Sequence, residues 1–224
     1  MASLIVKNVS KSFRIDGVDI KAVDDASMEV EKGEFVSIVG HSGSGKTTLL
    51  SIIGGILSPT SGSVLVDGQD IYRMNDDGLA GYRAIKIGYV FQFASLMPML
   101  TAKENLLLPT VFSGRKRDAK KRAEQYMELV GLKDKLNSYP YQLSGGQQRR
   151  VAISRALMNE PELLLADEPT GDLDEQTEAE VMEFFMMVNR QMGITFMLVT
   201  HNSALAGTAG RRFRMSAGQL IEIS

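Results

Sequence analysis

Apolar and polar positions alternate from Leu4 to Val9, which predicts a strand with one buried face. Ala26–Val30 and Phe35–Val39 predict two more, separated by a turn at Lys32-Gly33. The second runs into Gly40-His41-Ser42-Gly43-Ser44-Gly45-Lys46-Thr47. Leu49, Leu50, Ile52, Ile53 and Ile56 then fall at helical spacing, in a helix expected to end near Pro59. Ser63–Val66 with the Asp67-Gly68 turn predicts a hairpin. Ala119, Ala123, Tyr126, Met127 and Val130 mark a helix closed by Gly131, and Gln148–Asn159 reads as another. Leu163–Ala166 reads as a buried parallel strand ending in two acids. Val181, Phe184, Phe185, Val188 and Met192 form a helical stripe stopped by Gly193. Ile194–Thr200 is a strand that delivers His201, and a strand pair is expected around Phe213–Leu220. Strands alternating with helices predict an α/β fold with a largely parallel sheet. The block from about Phe93 to Tyr141 reads as mostly helical.

Bulk properties narrow the classes. The 224 residues suit one domain or one domain with a satellite, with 44% hydrophobic and 23% charged residues and a net charge of −2. That balance gives no reason to expect nucleic-acid binding. With no cysteine, disulfides and thiolate metal sites are excluded. No apolar run reaches the ~18 residues of a membrane span. Met-Ala-Ser-Leu-Ile-Val-Lys turns polar too soon for a signal peptide. The expected location is the cytoplasm, with any membrane role exercised through a partner.

Gly40–Thr47 fits G-x-x-x-x-G-K-[ST] between a strand and a helix. Glycines let the backbone curl so that successive N–H groups point at phosphate oxygens, and the helix start adds its positive end. Lys46 reaches the β- and γ-phosphates, Thr47 offers its hydroxyl to Mg²⁺, and Thr48 is a further candidate phosphate contact. Asp167 and Glu168 end the apolar strand Leu163–Ala166. The first is placed to orient Mg²⁺ and the second to polarise an attacking water. Two solvated acids opening a loop is the alternative. His201 also follows an apolar strand, where ligands of open α/β sheets bind, although a lone histidine is more often structural.

Leu143-Ser144-Gly145-Gly146-Gln147 resembles the signature of ABC ATPases, and it stands between the phosphate loop and the acidic strand as in that family. Ser144 and two glycines before a helix also make a second anion-seeking helix start. The resemblance extends from about Leu4 to Leu220. It implies a P-loop NTPase core of RecA type with an antiparallel β subdomain (about 1–92 and 160–224). A helical subdomain carrying the signature (about 93–159) completes the single ABC ATPase domain. It implies ATP and Mg²⁺ as ligands and a head-to-tail dimer, in which Ser144, Gly145, Gly146 and Gln147 of one copy close over the γ-phosphate held by the other. By the same resemblance Phe13 stacks on adenine, Gln92 senses Mg²⁺ and the attacking water, Asp174 crosses the dimer interface, and His201 contacts the γ-phosphate. Asp172 stands where Asn or Ala is usual and Asn202 where Asp is usual. The strand pair at the C-terminal end is atypical in sequence. Phe91-Gln92-Phe93, Leu96, Pro98, Leu100-Thr101-Ala102, Glu104-Asn105 and Ala166–Gly171 are similar to the lipoprotein-releasing and macrolide-exporter branch. Members of that branch serve permeases with a large extracytoplasmic domain, which implies an inner-face membrane location through the permease.

Three stretches carry open readings. The basic run from Arg115 to Arg122 is a solvated face or an attraction to anionic lipid. Methionines 182, 186, 187, 192 and 197 read as core filling. Leu96-Met97-Pro98-Met99-Leu100 is local core or a permease contact. Three functions compete: a transport ATPase, an ABC ATPase of another class, and an unrelated P-loop enzyme. Only about fifty residues separate Gln92 from Leu143, with no sustained heptads, which argues against a coiled-coil repair ATPase. A single catalytic domain argues against a translation-type protein. An ATPase serving a non-transporting, cell-division type membrane complex stays open. No N-K-x-D guanine motif is present.

Overall fold

The alternation at Leu4–Val9 belongs to a longer strand, β1 (Ala2–Ile15), which forms a long antiparallel hairpin with β2 (Val18–Glu31). The structure is a computed structural model that describes residues 2–171 and 173–223. β4 (Ser61–Val66) and the short β5 (Gln69–Asp70) complete an antiparallel sheet of order β2-β1-β4-β5. The second sheet has the order β10-β9-β3-β8-β7-β6. Its strands are β3 (Phe35–Val39), β6 (Ile87–Val90), β7 (Leu163–Asp167), β8 (Thr195–Thr200), β9 (Arg211–Ser216) and β10 (Gln219–Ile223). Only β9 and β10 pair antiparallel in it. β3, β7 and β8 are buried at every position, so they read as continuous apolar runs because helices or the other sheet cover both faces.

Two cores result. One joins the antiparallel sheet to the parallel sheet through α1 (Lys46–Ile53), with Leu4, Ile38, Leu50, Ile53 and Phe213 at its centre. The other lies on the opposite face, under α4 (Ala119–Leu129), α5 (Gly145–Leu157) and α6 (Glu175–Met192). Val181, Met182, Phe184, Phe185 and Val188 are its share from α6, with Met186 and Met187 partly buried against it. Met197 is buried in the first core as expected, whereas Met192 is 39% exposed and is not core filling. α2 (Asp76–Gly81), α3 (Ala102–Ser113) and α7 (Ser203–Ala206) complete the helices. The block 93–141 is helical only over α3, α4 and two short 3-10 turns.

One predicted boundary is corrected. α1 stops at Ile53 rather than near Pro59, because Gly54 and Gly55 follow and Gly55 sits at φ +68, a left-handed conformation that ends a helix. Ile56 is consequently 54% exposed instead of lying on the buried stripe. The freed carbonyls are satisfied from a distance. The Tyr72 hydroxyl lies within hydrogen-bond distance of the Ile52 and Leu57 carbonyls and has one proton to share between them, Tyr82 donates to Ile53 at 2.7 Å, and Arg83 to Gly55 at 3.0 Å. Tyr82 and Arg83 stand in a π-helical turn, residues 82–86, that follows α2 directly.

Candidate functional site

The loop between β3 and α1 lines an open cleft of about 680 Å³. Its shape depends on two glycines. Gly45 has φ +105, and a Cβ there would sit 2.0 Å from the Ala22 carbonyl oxygen of β2. A Cβ on Gly40 would meet the Met215 carbonyl at 2.2 Å. The loop is therefore pressed between the antiparallel hairpin and the end of β9, with its backbone turned toward the cleft. His41, Ser42, Gly43, Ser44, Gly45, Lys46, Thr47 and Thr48 all line it. Lys46 is 6% exposed, and its ammonium donates to the Gly40 and His41 carbonyls at 2.7 and 3.0 Å. The cation is thus held within the loop, at the place where the phosphates of a nucleotide would compete for it.

Facing the loop are groups at the carboxyl ends of β6, β7 and β8. Gln92 follows β6 and is exposed to the cleft. Asp167 ends β7, 6% exposed, and accepts from the Thr47 hydroxyl at 3.2 Å. Burial raises its carboxyl above the ordinary range, and the nearby Glu168 charge adds to the rise, against the opposing Thr47 bond and Lys46 charge. Glu168 has φ +46, uncommon for a side chain of its size. Its Oε1 lies 4.0 Å from the Lys46 ammonium. Its Oε2 accepts from the His201 backbone N–H at 3.2 Å and lies 2.8 Å from the His201 Nδ1. Sequence alone gave no hint of that contact, which spans β7 and β8.

Thr47 and Asp167 put two hard oxygen donors side by side, which fits a divalent cation of the magnesium kind. No group of three or more His, Asp or Glu side chains among the described residues makes a metal cage. Such an ion would draw its other ligands from phosphate oxygens and water.

Several predicted residues do not join this cleft. Phe13 stands opposite Ile20 on the hairpin, 37% exposed, with the Lys11 ammonium 5.3 Å from its ring centre. Ser144 caps α5 in a reciprocal pair with Gln147. Gly146 packs so closely on α6 that a Cβ would sit 2.6 Å from the Thr177 methyl. Thr177 in turn donates from its N–H and hydroxyl to Asp174, the cap of α6. Ser144, Gly145, Gly146, Gln147 and Asp174 therefore form one surface around two capped helix starts, and none of them lines the phosphate cleft. Asp172 lies outside the described residues.

Sequence reasoning also missed how α5 reaches back to Gln92. Arg149 donates to the Phe91 carbonyl at 2.9 Å, and Arg155 to Ser95 and Ala94 carbonyls at 2.8 and 3.1 Å. The helix bearing the signature thereby grips the backbone on both sides of Gln92. Nothing in the helical pattern of Gln148–Asn159 singled these arginines out.

A glycine-rich loop pinned between sheet and helix, its lysine inside, with paired acids across the cleft, defines a P-loop nucleoside triphosphatase. Residues 23–171 match the family model described as ABC transporter. The chain is 43% identical to the lipoprotein-releasing system ATP-binding protein LolD of Syntrophus aciditrophicus over 217 residues, 96% of this chain and 97% of that one. It is 42% identical to the macrolide export ATP-binding/permease protein MacB of Syntrophobacter fumaroxidans, covering 95% of this chain and 30% of that longer protein. Its fold is similar to a dimeric, post-hydrolysis structure of the ATP-binding cassette MJ0796 bound to ADP and Pi. The TM-score is 0.91 at 40% identity, over 99% of this chain and 98% of that one. The chain belongs to the ABC transporter family, as an ATP-binding cassette with ATPase activity.

Proposed function

We propose that this cassette is the ATPase subunit of an exporter-type system of the lipoprotein-release or mechanotransmission kind. Two copies close head to tail on two ATP molecules beneath a separate integral-membrane permease with a large extracytoplasmic domain. The observation that carries the dimer is the separation of the two anion-seeking surfaces. The phosphate loop, Glu168 and His201 share one cleft, while the capped start of α5 at Ser144 faces outward elsewhere on the same chain. A second copy brings that helix start, with its unpaired N–H groups, over the γ-phosphate.

Within such a sandwich Phe13 offers its ring to the adenine. The N–H groups of residues 40–48 cradle the phosphates, and Lys46 leaves the Gly40 and His41 carbonyls for the β- and γ-oxygens. Thr47, Asp167 and Gln92 would hold Mg²⁺, which when bound would neutralise charge on the phosphates. Glu168 accepts a proton from the attacking water, and its contact with His201 fixes which way the carboxylate points. His201 and the partner copy's Ser144 then face the γ-phosphate, and Asp174 lies at the contact between copies.

Residues 93–159 serve as the subdomain that carries the signature. A groove of about 400 Å³ runs between it and the sheet, lined by Ile56, Phe91, Pro109, Phe112 and Arg155 among others. Phe112 is 81% exposed beside it, and Met97 and Met99 point outward while Leu96 packs into the core. This apolar face suits a permease, through which the ATPase would sit on the inner face of the membrane. No described helix is long and apolar enough to cross a membrane by itself.

The test of the chemistry is Glu168→Gln. It is expected to bind ATP normally and to turn over about 10²- to 10³-fold more slowly, measured as phosphate release at saturating ATP. Turnover close to the parent would remove Glu168 from the role given to it.

A further inference from the structure

Six of the eight residues from Arg115 to Arg122 are cationic and only Asp118 is acidic, in a chain whose net charge is −2. Two of the six hold the fold together. Arg115 donates to the Asn159 carbonyl, and Arg122 to the Met158, Arg117 and Arg115 carbonyls at 3.3, 2.9 and 3.0 Å. The Ser113 hydroxyl adds a bond to the Asn159 side chain at 2.9 Å. The turn between α3 and α4 is thereby pinned to the chain that follows α5. The other four cations, Lys116, Arg117, Lys120 and Lys121, are exposed. Arg117 makes only a loose pair with Asp118 at 3.7 Å, and Glu124, one turn along α4, is taken by Lys103 at 2.9 Å. Among the described residues Lys116, Lys120 and Lys121 enter no ion pair.

Folding does not explain these lysines. Lys120 and Lys121 stand in the first turn of α4, which has no acid and no side-chain cap from Asp118. Cations at that end oppose the helix dipole. Their position supplies the other half of the argument. Asn159, which anchors the basic turn, lines the apolar groove together with Pro109 and Phe112, and its amide donates to the Pro109 carbonyl at 3.1 Å. The basic turn is therefore the rim of the groove. A face that receives an integral-membrane partner brings its rim to the level of the lipid headgroups.

We propose that Lys116, Arg117, Lys120 and Lys121 form a contact for the anionic lipid of the membrane beside the permease. The placement of the contact rests on the permease reading of the groove given above. Each cation held near an anionic surface strengthens binding about 5-fold, so the four orient the cassette on the membrane without anchoring it alone.

The experiment uses the whole chain, without nucleotide, in sedimentation with vesicles. One set is phosphatidylcholine with about 30 mol% phosphatidylglycerol, and the other is phosphatidylcholine alone. The parent binds the first and not the second, and about 0.5 M salt releases it. The triple variant Lys116→Gln, Lys120→Gln, Lys121→Gln binds about 100-fold more weakly, whereas Lys→Arg at the same three positions retains binding. Equal binding to both vesicles, binding to neither, or a Gln variant that binds like the parent would each overturn the proposal. The Gln variant also melts no lower than the parent, since its lysines oppose the helix dipole. A lower melting temperature would give them a folding role and likewise overturn it. Vesicle binding is read without a permease, so the two readings fail separately. A chain that binds anionic vesicles but purifies from native membranes with no integral-membrane partner loses the permease reading, and one that purifies with such a partner yet ignores anionic lipid loses only the lipid contact.

Discussion

Glu168 keeps its backbone in the left-handed region while its carboxylate is held by the backbone and ring of His201. Strain of this kind costs on the order of 1–3 kcal/mol and persists where the surroundings enforce it. Here they are the ends of two buried parallel strands. The identities of Lys46, Asp167, Glu168 and His201 were legible because each follows a recognisable strand. The Glu168–His201 contact was not, because 33 residues separate the partners and only the sheet order brings them together. Asn202, a departure from the usual Asp, now has a physical reason. Its oxygen caps α7, and its amide donates to Glu178 at 3.3 Å, which an aspartate would repel. Gly45→Ala should abolish nucleotide binding, since both its φ and the 2.0 Å approach of Ala22 forbid a side chain; retained ATP affinity in a binding titration would contradict this. Asp167 supplies a pH prediction. Its carboxyl is raised in the fold, so the native state holds that proton more tightly than the unfolded chain. Its contribution to stability therefore falls as pH climbs from the ordinary value of 3.8 through the raised one. At neutral pH, Asp167→Asn should melt about 2–4 °C higher without nucleotide and lose most of its hydrolysis. The gain should vanish on acidification below the ordinary aspartate range, and a lower melting temperature at neutral pH would sink the reading.

α1 shows how an element serves the site from its far end. Its first turn carries Lys46 and Thr47, while its last carbonyls are held by Tyr72 and Tyr82 and the Gly55 carbonyl just beyond by Arg83, all from the segment before β6. Tyr82 is 4% exposed, and burial pushes its hydroxyl well above the usual phenol range. It therefore remains a donor. Tyr82→Phe strands the Ile53 carbonyl and should cost about 1–3 kcal/mol in denaturant unfolding. An unchanged midpoint would mean the bond contributes nothing. The hydrophobic period announced α1, but the pair Gly54-Gly55 decided its end, and the apolar Ile56 disguised that. The β1–β2 hairpin was half legible for a related reason. Its inner parts alternate against the core, whereas Ile15, Val18 and Ile20 near the turn are exposed and follow no buried face. The basic run at 115–122 turned out to be partly local: Arg115 donates to Asn159, and Arg122 to Arg115, Arg117 and Met158 carbonyls.

At the scale of the molecule, the sequence contained every motif of the site but not their division between two surfaces. Ser144–Gln147 and the phosphate loop are far apart in sequence, and the folded chain leaves them apart in space as well. A motif scan cannot see this, because distance between surfaces is a property of the packed sheet and helices. Gly146, Thr177 and Asp174 bind the signature to α6, so the outward surface is built to be rigid. The central claim is that this surface completes the cleft of a second copy. Sedimentation of Glu168→Gln with saturating ATP tests it most directly. The account predicts that the particle doubles in mass with ATP, and returns to one chain when Ser144→Arg is added to the same protein without loss of ATP binding. A Glu168→Gln chain that binds ATP yet stays monomeric, or a dimer indifferent to Ser144→Arg, would contradict it.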